Sequence, residues 1–357
     1  MSIKTFMGAN TPWGFSSLFD ELHNPYKDER LYIIKGGAGT GKSSLMKKIA
    51  KSAEEAGYET EKVYCSSDPQ SLDGLIIPEL DFSIADGTAP HVIEPRFPGA
   101  SENIINMGQF WNEKELFEKR KEIKALSVEN SMYHRSSERL LFSAGTLKGE
   151  ISRLFASKIN KEKIESYAVR FASRETPKKK NSPPGKKKRR YLSAITPKGK
   201  IFFDETVETL CSRIIAVRDD YGEVGSFLCE RIGELAVKNG YEVIFCLCPM
   251  KKGVSEHIII PEIALGIITV NACHEINLSA DRVIHAERFL TASIQKENKN
   301  KLLWSRTISE ELIDEAVLYL KKAKQTHDRL EKLYIESMDF EKVNAFEKKF
   351  ISRLIQK

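Results

Sequence analysis

The chain has no apolar run approaching the roughly 20 residues that cross a bilayer, and its start, MSIKTFMGANTPWGF, does not follow the charged-then-apolar order of a secretory leader. A cytoplasmic location without anchor or leader is therefore expected. Cysteine is also scarce. Six residues, Cys65, Cys211, Cys229, Cys246, Cys248 and Cys273, are too few in 357 to form a disulfide framework, and most lie inside apolar runs, so reduced, buried thiols are expected. Cys246 and Cys248, two apart in a predicted strand, share a face and could be joined by Cys273 and His274 as zinc donors, but the spacing is not that of a zinc knuckle.

Excess positive charge is missing everywhere except in one segment. PKKKNSPPGKKKRR, Pro177 to Arg190, holds eight cations and no acid, so the net +6 becomes −2 without it. Its prolines and glycine read as an interdomain linker, with contact to a polyanion as the sharper alternative. No aromatics interleave the lysines, so base stacking has no support and a nucleic-acid partner is not expected.

The strongest chemical signal lies in LYIIKGGAGTGKSSLMKKIAKSAEEAGY, where Gly36, four residues, then Gly41, Lys42 and Ser43 fit GxxxxGK[ST]. A short apolar strand, Leu31 to Ile34, precedes it, and Leu45, Ile49 and Ala53 follow at helical spacing before Gly57. The expected nucleotide-binding set is Gly36, Gly37, Ala38, Gly39, Thr40, Gly41, Lys42, Ser43 and Ser44. Backbone amides would cradle the β-phosphate at a helix N-terminus, Lys42 would reach the β- and γ-phosphates, and the Ser43 hydroxyl would ligate Mg2+. A second magnesium anchor is expected at the end of a buried strand, and Asp86 in LDFSIADGTAPH has that position. Gly87 follows, so the glutamate that many ATPases place there to activate water is absent. Asp-Gly is also an ordinary turn signal.

The chain repeats itself at a shift of 183 residues. EAGYETEKVYC lies on KNGYEVIFCLC and IIPELDFSIADGTAPH on IIPEIALGIITVNACH, with about sixteen identities between Lys35 and His91. Upstream, GANTPWG resembles SAITPKG at a slightly different shift. In this register GGAGTGKS falls on DDYGEVGS: Gly36 and Gly37 become Asp219 and Asp220, Lys42 becomes Gly225, and Asp86 becomes Thr269. Each change removes an element of phosphate or magnesium binding, so the second loop is expected to be disabled. Positions kept in both copies, such as Gly57, Pro78 and Glu79, read as architectural, although retained His91 and Glu79 could still act on nucleotide. Asp68, replaced by Lys251, reads as a candidate base or acceptor-binding acid, against a turn starter before Pro69. Arg96, in the proline-broken loop HVIEPRFPGASEN, could contact a γ-phosphate if that loop closes as a lid.

Taken together, FMGANTPWGFSSLFDEL, GGAGTGKSSLMKKI, YCSSDPQSLDGLIIPEL, ADGTAPHVIEPRFPGA and SAITPKG resemble a bacterial family of duplicated P-loop ATPases, described as ATP-binding proteins or nucleotide kinases, along nearly the whole chain. The resemblance implies an α/β tandem P-loop fold, each copy a parallel sheet flanked by helices, with ATP as the nucleotide. Phosphate loops can occur in both halves of that family, and Asp219, Asp220 and Gly225 depart from it.

The expected organisation is a working core over 1–115, a helical hairpin over 116–176, the basic linker over 177–190, a degenerate core over 191–294 and a second hairpin over 295–357, each hairpin appended to its own core. The expected activity is ATP hydrolysis at one Mg-ATP site, with Lys42, Asp86 and Asp68 as catalytic candidates and Ser43 and Asp86 on the metal. The second half would be a pseudo-enzyme. The alternatives are a small-molecule or nucleotide kinase and an ATP-controlled switch that engages a protein partner through the hairpins. No LSGGQ-like signature of a transport ATPase is present.

Overall fold

The computed structural model describes residues 2–24, 26–27, 29–271, 279–291 and 294–355. The first half runs β1 (Ser2–Phe6), a hairpin of β2 (Gly8–Thr11) and β3 (Gly14–Ser17), β4 (Arg30–Lys35), α1 (Lys42–Glu55), β5 (Thr60–Tyr64), β6 (Leu72–Ile77), β7 (Phe82–Asp86) and β8 (Glu102–Asn106), then helices α2 (Glu113–Glu118), α3 (Arg120–Ala156) and α4 (Lys161–Glu175). The second half repeats the order: β9 (Lys187–Arg190), a hairpin of β10 (Ser193–Thr196) and β11 (Gly199–Phe202), α5 (Asp204–Leu210), β12 (Arg213–Arg218), α6 (Glu223–Lys238), β13 (Val243–Leu247), β14 (Ser255–Ile260), β15 (Leu265–Val270) and β16 (Arg282–His285), then α7 (Ile294–Glu336) and α8 (Phe340–Ile355). No helix among the described residues is long and apolar enough to cross a membrane.

Both copies are mixed α/β. One sheet has the order β1-β5-β6-β7-β4-β8 and the other β9-β13-β14-β15-β12-β16, which is the same order copy for copy. The expected all-parallel sheet is not found: β6 and β14 run antiparallel to both neighbours. The reason is connection length, since the few residues between β5, β6 and β7 allow a turn but not a crossover helix. The register irregularity between Val63 and Tyr64 recurs between Cys246 and Leu247, at the 183-residue shift. In each copy a Pro-Glu turn ends on a left-handed residue, Asp81 or Ala264, both at φ 46°. In each, the glutamate of that turn accepts the amide of the residue just before β5 or β13, Glu79 from Glu59 and Glu262 from Glu242, both at 3.0 Å. This repeated bond gives Glu79 an architectural task.

The chain divides into two compact units. One comprises 1–139, 195–200 and 315–357, and the other 140–194 and 201–314. This differs from hairpins appended to their own cores. In the first unit α1 buries Leu45, Met46, Ile49, Ala50 and Ala53, an apolar stripe at helical spacing. It is α8 that completes this core, with Val343 buried and Phe346, Phe350, Ile351 and Leu354 packed around it. Glu347 on α8 is buried and ion-paired to Lys48 of α1, whose ammonium also reaches Asn344 at 3.1 Å. In the second unit α4 fills that role, with Ile164, Tyr167, Ala168 and Phe171 against Val224, Leu228 and Ile232 of α6. Arg231 of α6 grips Glu165 of α4 through two bonds of 2.5 and 2.7 Å. Each core is therefore closed by a helix encoded in the other half, α8 in the first unit and α4 in the second. Amphipathic periodicity marks an apolar face but does not say which surface will cover it.

The basic segment 177–190 is part of the second unit's fold, not a free linker. Lys187–Arg190 form an edge strand parallel to β13. Lys187 pairs with Glu230 at 2.9 Å and Lys188 with Glu242 at 2.7 Å, while Lys179 pairs with Glu262 and lies over the Tyr241 ring at 4.4 Å. Arg190 is buried. Charged lysines on an edge strand also discourage edge-to-edge association.

Candidate functional site

The glycine loop leaves the C-terminal end of β4 and enters α1 at Lys42, so its amides lie at a helix N-terminus. The N-cap, Gly41, is left-handed and offers no side chain to the first-turn amides, which stay available to an anion. Thr40, fully buried, donates its hydroxyl to the Gly37 carbonyl at 2.9 Å and braces the loop from within. Lys42 folds over the loop: Nζ lies 3.1 Å from the Gly36 carbonyl, 2.6 Å from that of Gly37 and 3.5 Å from Asp86 Oδ2. The lysine and Asp86 are thus together, both largely buried.

Asp86 ends β7 beside Ile34 of β4. Its Oδ1 accepts from the Thr88 amide at 2.9 Å and the Thr88 hydroxyl at 2.5 Å, a turn bond that fixes the carboxylate while Oδ2 faces Lys42. The Ser43 hydroxyl oxygen accepts the Leu72 amide of β6 at 2.9 Å. A hydroxyl and a carboxylate beside uncapped helix amides are hard oxygen donors suited to Mg2+, and each oxygen keeps lone-pair capacity beyond the bond it makes here.

Asp68 is committed to a turn. It accepts from the Gln70 amide at 3.2 Å and the Ser71 hydroxyl at 2.8 Å, and it pairs with Lys324 at 3.5 Å. Burial pushes its carboxyl up, but the Ser71 bond and Lys324 outweigh this and hold it below the usual range. The turn accounts for these hydrogen bonds.

Lys324 belongs to α7, which the sequence did not place near the loop. A side-chain carbon on Gly37 would meet the Tyr334 ring at 2.6 Å, and one on Gly39, at φ +68°, would meet the Glu331 carbonyl oxygen at 2.7 Å. The end of α7 therefore lies directly on the loop. Lys324, Asp328, Glu331 and Tyr334 recur every three or four residues along one helix face, with His327 next to Asp328. His327, Asp328 and Glu331 bring potential metal-ligand atoms within 4.8 Å of one another. The stripe is visible in the sequence, but its target is not.

A second feature missed in the sequence is the pair Asp73 and His91, both buried. His91 Nε2 is 3.2 Å from Asp73 Oδ2, and its ring lies between Phe19 at 4.8 Å and Phe15 at 5.0 Å. Burial pulls the imidazole pKa down, but Asp73, with Asp86 adding attraction, more than offsets this and the pKa is raised. Cys65 is close enough for Asp73 to act on it: burial first, then Asp73, pushes the thiol well above its ordinary value, so it stays protonated. The available signal was an acid inside the apolar run LDGLII, which reads more easily as a turn.

Other expected site residues lie elsewhere. The backbone amide of exposed Arg96 bonds to Glu102, which is level with Leu31 at the start of β4, whereas the glycine loop follows the strand's far end, about 13 Å away at strand rise. Cys246 and Cys248 are pushed upward by burial, as are Cys211 and Cys229, the last two to about 12. Cys273 and His274 lie outside the described residues.

The second loop has the same left-handed glycine, Gly222 at φ +68° in the register of Gly39, but it is filled. Asp219 turns inward: Oδ2 accepts the Gly225 amide at 2.8 Å and Oδ1 the Tyr221 amide at 3.3 Å. Lys251 donates to the carbonyls of Tyr221 at 3.1 Å and Gly222 at 3.3 Å and pairs with Glu223 at 2.6 Å. A side-chain carbon on Gly225 would meet Thr269 Oγ1 at 2.4 Å, so the residue replacing Asp86 fills the space that a lysine at the Lys42 position would need. Asp220 remains exposed. The effect goes beyond the expected repulsion of phosphate, because a carboxylate already occupies the loop's amides.

No family model, no curated protein and no solved structure matches the chain.

Proposed function

We propose that the chain is a duplicated P-loop protein, of the ATPase family that its motifs resemble, which binds ATP with Mg2+ at one site in the first unit and hydrolyses it. The second unit is the self-filled counterpart. The observation that carries this reading is the contrast at one register: uncapped amides with Lys42 beside Asp86 in one loop, and amides satisfied by Asp219 with no room for a lysine in the other.

In this reading the amides of Gly37 to Ser43 hold the β-phosphate, and Lys42 exchanges its two carbonyl contacts for phosphate oxygens. Ser43 and Asp86 would hold Mg2+, which would supply neutralisation of phosphate charge. Thr40 keeps the loop open, and Thr88 keeps Asp86 aimed.

Calorimetric Mg-ATP binding and phosphate release, compared between the intact chain and Lys42→Ala, test the proposal. Losing a charge-assisted contact of about 1.5–3 kcal/mol should weaken binding roughly 10- to 100-fold, and release should vanish. Equal binding by both proteins would refute the assignment of the loop.

A further inference from the structure

The buried pair Asp73 and His91 lies outside the loop motif. An ionised carboxylate inside an apolar strand is costly unless it is paired. Asp73 has only His91 within ion-pair distance among the described residues, and His91 Nδ1 is buried without a hydrogen-bond partner among them. Two elements fix where the carboxylate lies. The neighbouring Leu72 amide bonds to Ser43 Oγ, and the antiparallel register Gly74 to Ala85 continues to Asp73 beside Asp86. His91 lies within electrostatic reach of Asp73, Asp86 and Lys42 together.

The second copy keeps an acid at this position, Glu256, but treats it differently. Its Oε1 accepts the Ser193 hydroxyl at 2.6 Å. Where SAITPKG aligns with GANTPWG, Ser193 falls on Gly8, which has no hydroxyl. Glu256 also lies 3.5 Å from His257 Nε2, so what the second copy adds is the serine bond, for which Gly8 gives the first copy no counterpart.

We propose that Asp73 is the proton acceptor in ATP hydrolysis, taking the role that Gly87 cannot fill, and that His91 is its positioning residue. The inference rests on reading the site as an ATP hydrolase. The water oxygen forms a bond to the γ-phosphorus, and the bond from that phosphorus to the bridging oxygen breaks, its electron pair leaving on ADP. The proton lost by water passes to the Asp73 carboxylate and then to solvent, so ATP and water give ADP, phosphate and a proton. General-base assistance of this kind contributes about 10²–10⁴ in rate.

Full-length wild type, Asp73→Asn and His91→Gln are compared for Mg-ATP binding by calorimetry, phosphate release, and the His91 imidazole titration followed by NMR. Asp73→Asn should keep ATP affinity within about threefold, lose at least about 100-fold in release, and show a lower His91 pKa. His91→Gln should bind ATP, release phosphate more slowly and shift the acid limb of the pH–rate profile. Wild-type release from Asp73→Asn, or a binding loss as large as that of Lys42→Ala, would overturn the assignment while leaving the ATPase reading in place. Wild type that binds ATP without release would overturn the role of Asp73 and keep only the binding site. Wild type that binds no ATP would sink the underlying reading and this inference with it. Should Asp73→Asn fail to fold, an unshifted profile in His91→Gln overturns the proposal.

Discussion

At the scale of single residues, position 36 of the first copy and position 219 of the second hold opposite chemistries on the same backbone. Burial raises the Asp219 carboxyl, and the Gly225 and Tyr221 amides and Lys251 only partly offset it. A folded-state pKa above the unfolded one means that this group's contribution to stability is complete below the unfolded value of about 3.8 and is lost as pH rises through the folded value. The urea midpoint of wild type should therefore fall relative to that of Asp219→Asn between pH 3.8 and 7. A constant difference across that range would show that Asp219 titrates as it does in the unfolded chain. The residues legible in the sequence were those with a motif around them: Lys42 and Asp86 lie 3.5 Å apart, and Ser43, next to Lys42, is bonded to Leu72 of β6. Asp73 was not legible because an acid before a glycine looks like a turn whether it is exposed or buried. Asp68 had two readings, and its hydrogen bonds fit the local one.

At the scale of elements, α1 and the strands on either side of the loop follow from apolar spacing, but the docking of α7 and α8 does not. Their packing rests on shape, such as the Tyr334 ring against Gly37 and the Glu331 carbonyl against Gly39. Gly39→Ala would strain a left-handed residue by about 1–2 kcal/mol and push α7 off the loop. Hydrogen exchange should therefore speed up in the last turns of α7 while the α1 amides in the Ile49 to Ala53 stretch stay protected. Unchanged exchange in α7 would mean that the contact does not hold the helix.

At the scale of the whole molecule, the repeat was readable in sequence down to its register, and the two sheets reproduce it strand for strand. The unit boundaries were not readable, because each core is closed by helices from the far half. A fragment of residues 1–176 lacks Val343, Phe346 and Phe350 and leaves the outer face of α1 bare. It should show no cooperative thermal transition by circular dichroism, and adding a 315–357 peptide should restore one. A cooperative melt from the fragment alone would show that α8 is dispensable.

The exchange of helices also sets an order of events on the ribosome. The unit built around the second sheet has all its residues once position 314 has emerged, whereas the unit that begins the chain must wait for residues 340–355. At about 5–20 residues per second, the first sheet is exposed without its closing helix for roughly 10 to 50 s. The half made first is finished last, and the glycine loop acquires its α7 cover only when synthesis has passed the whole of the second copy.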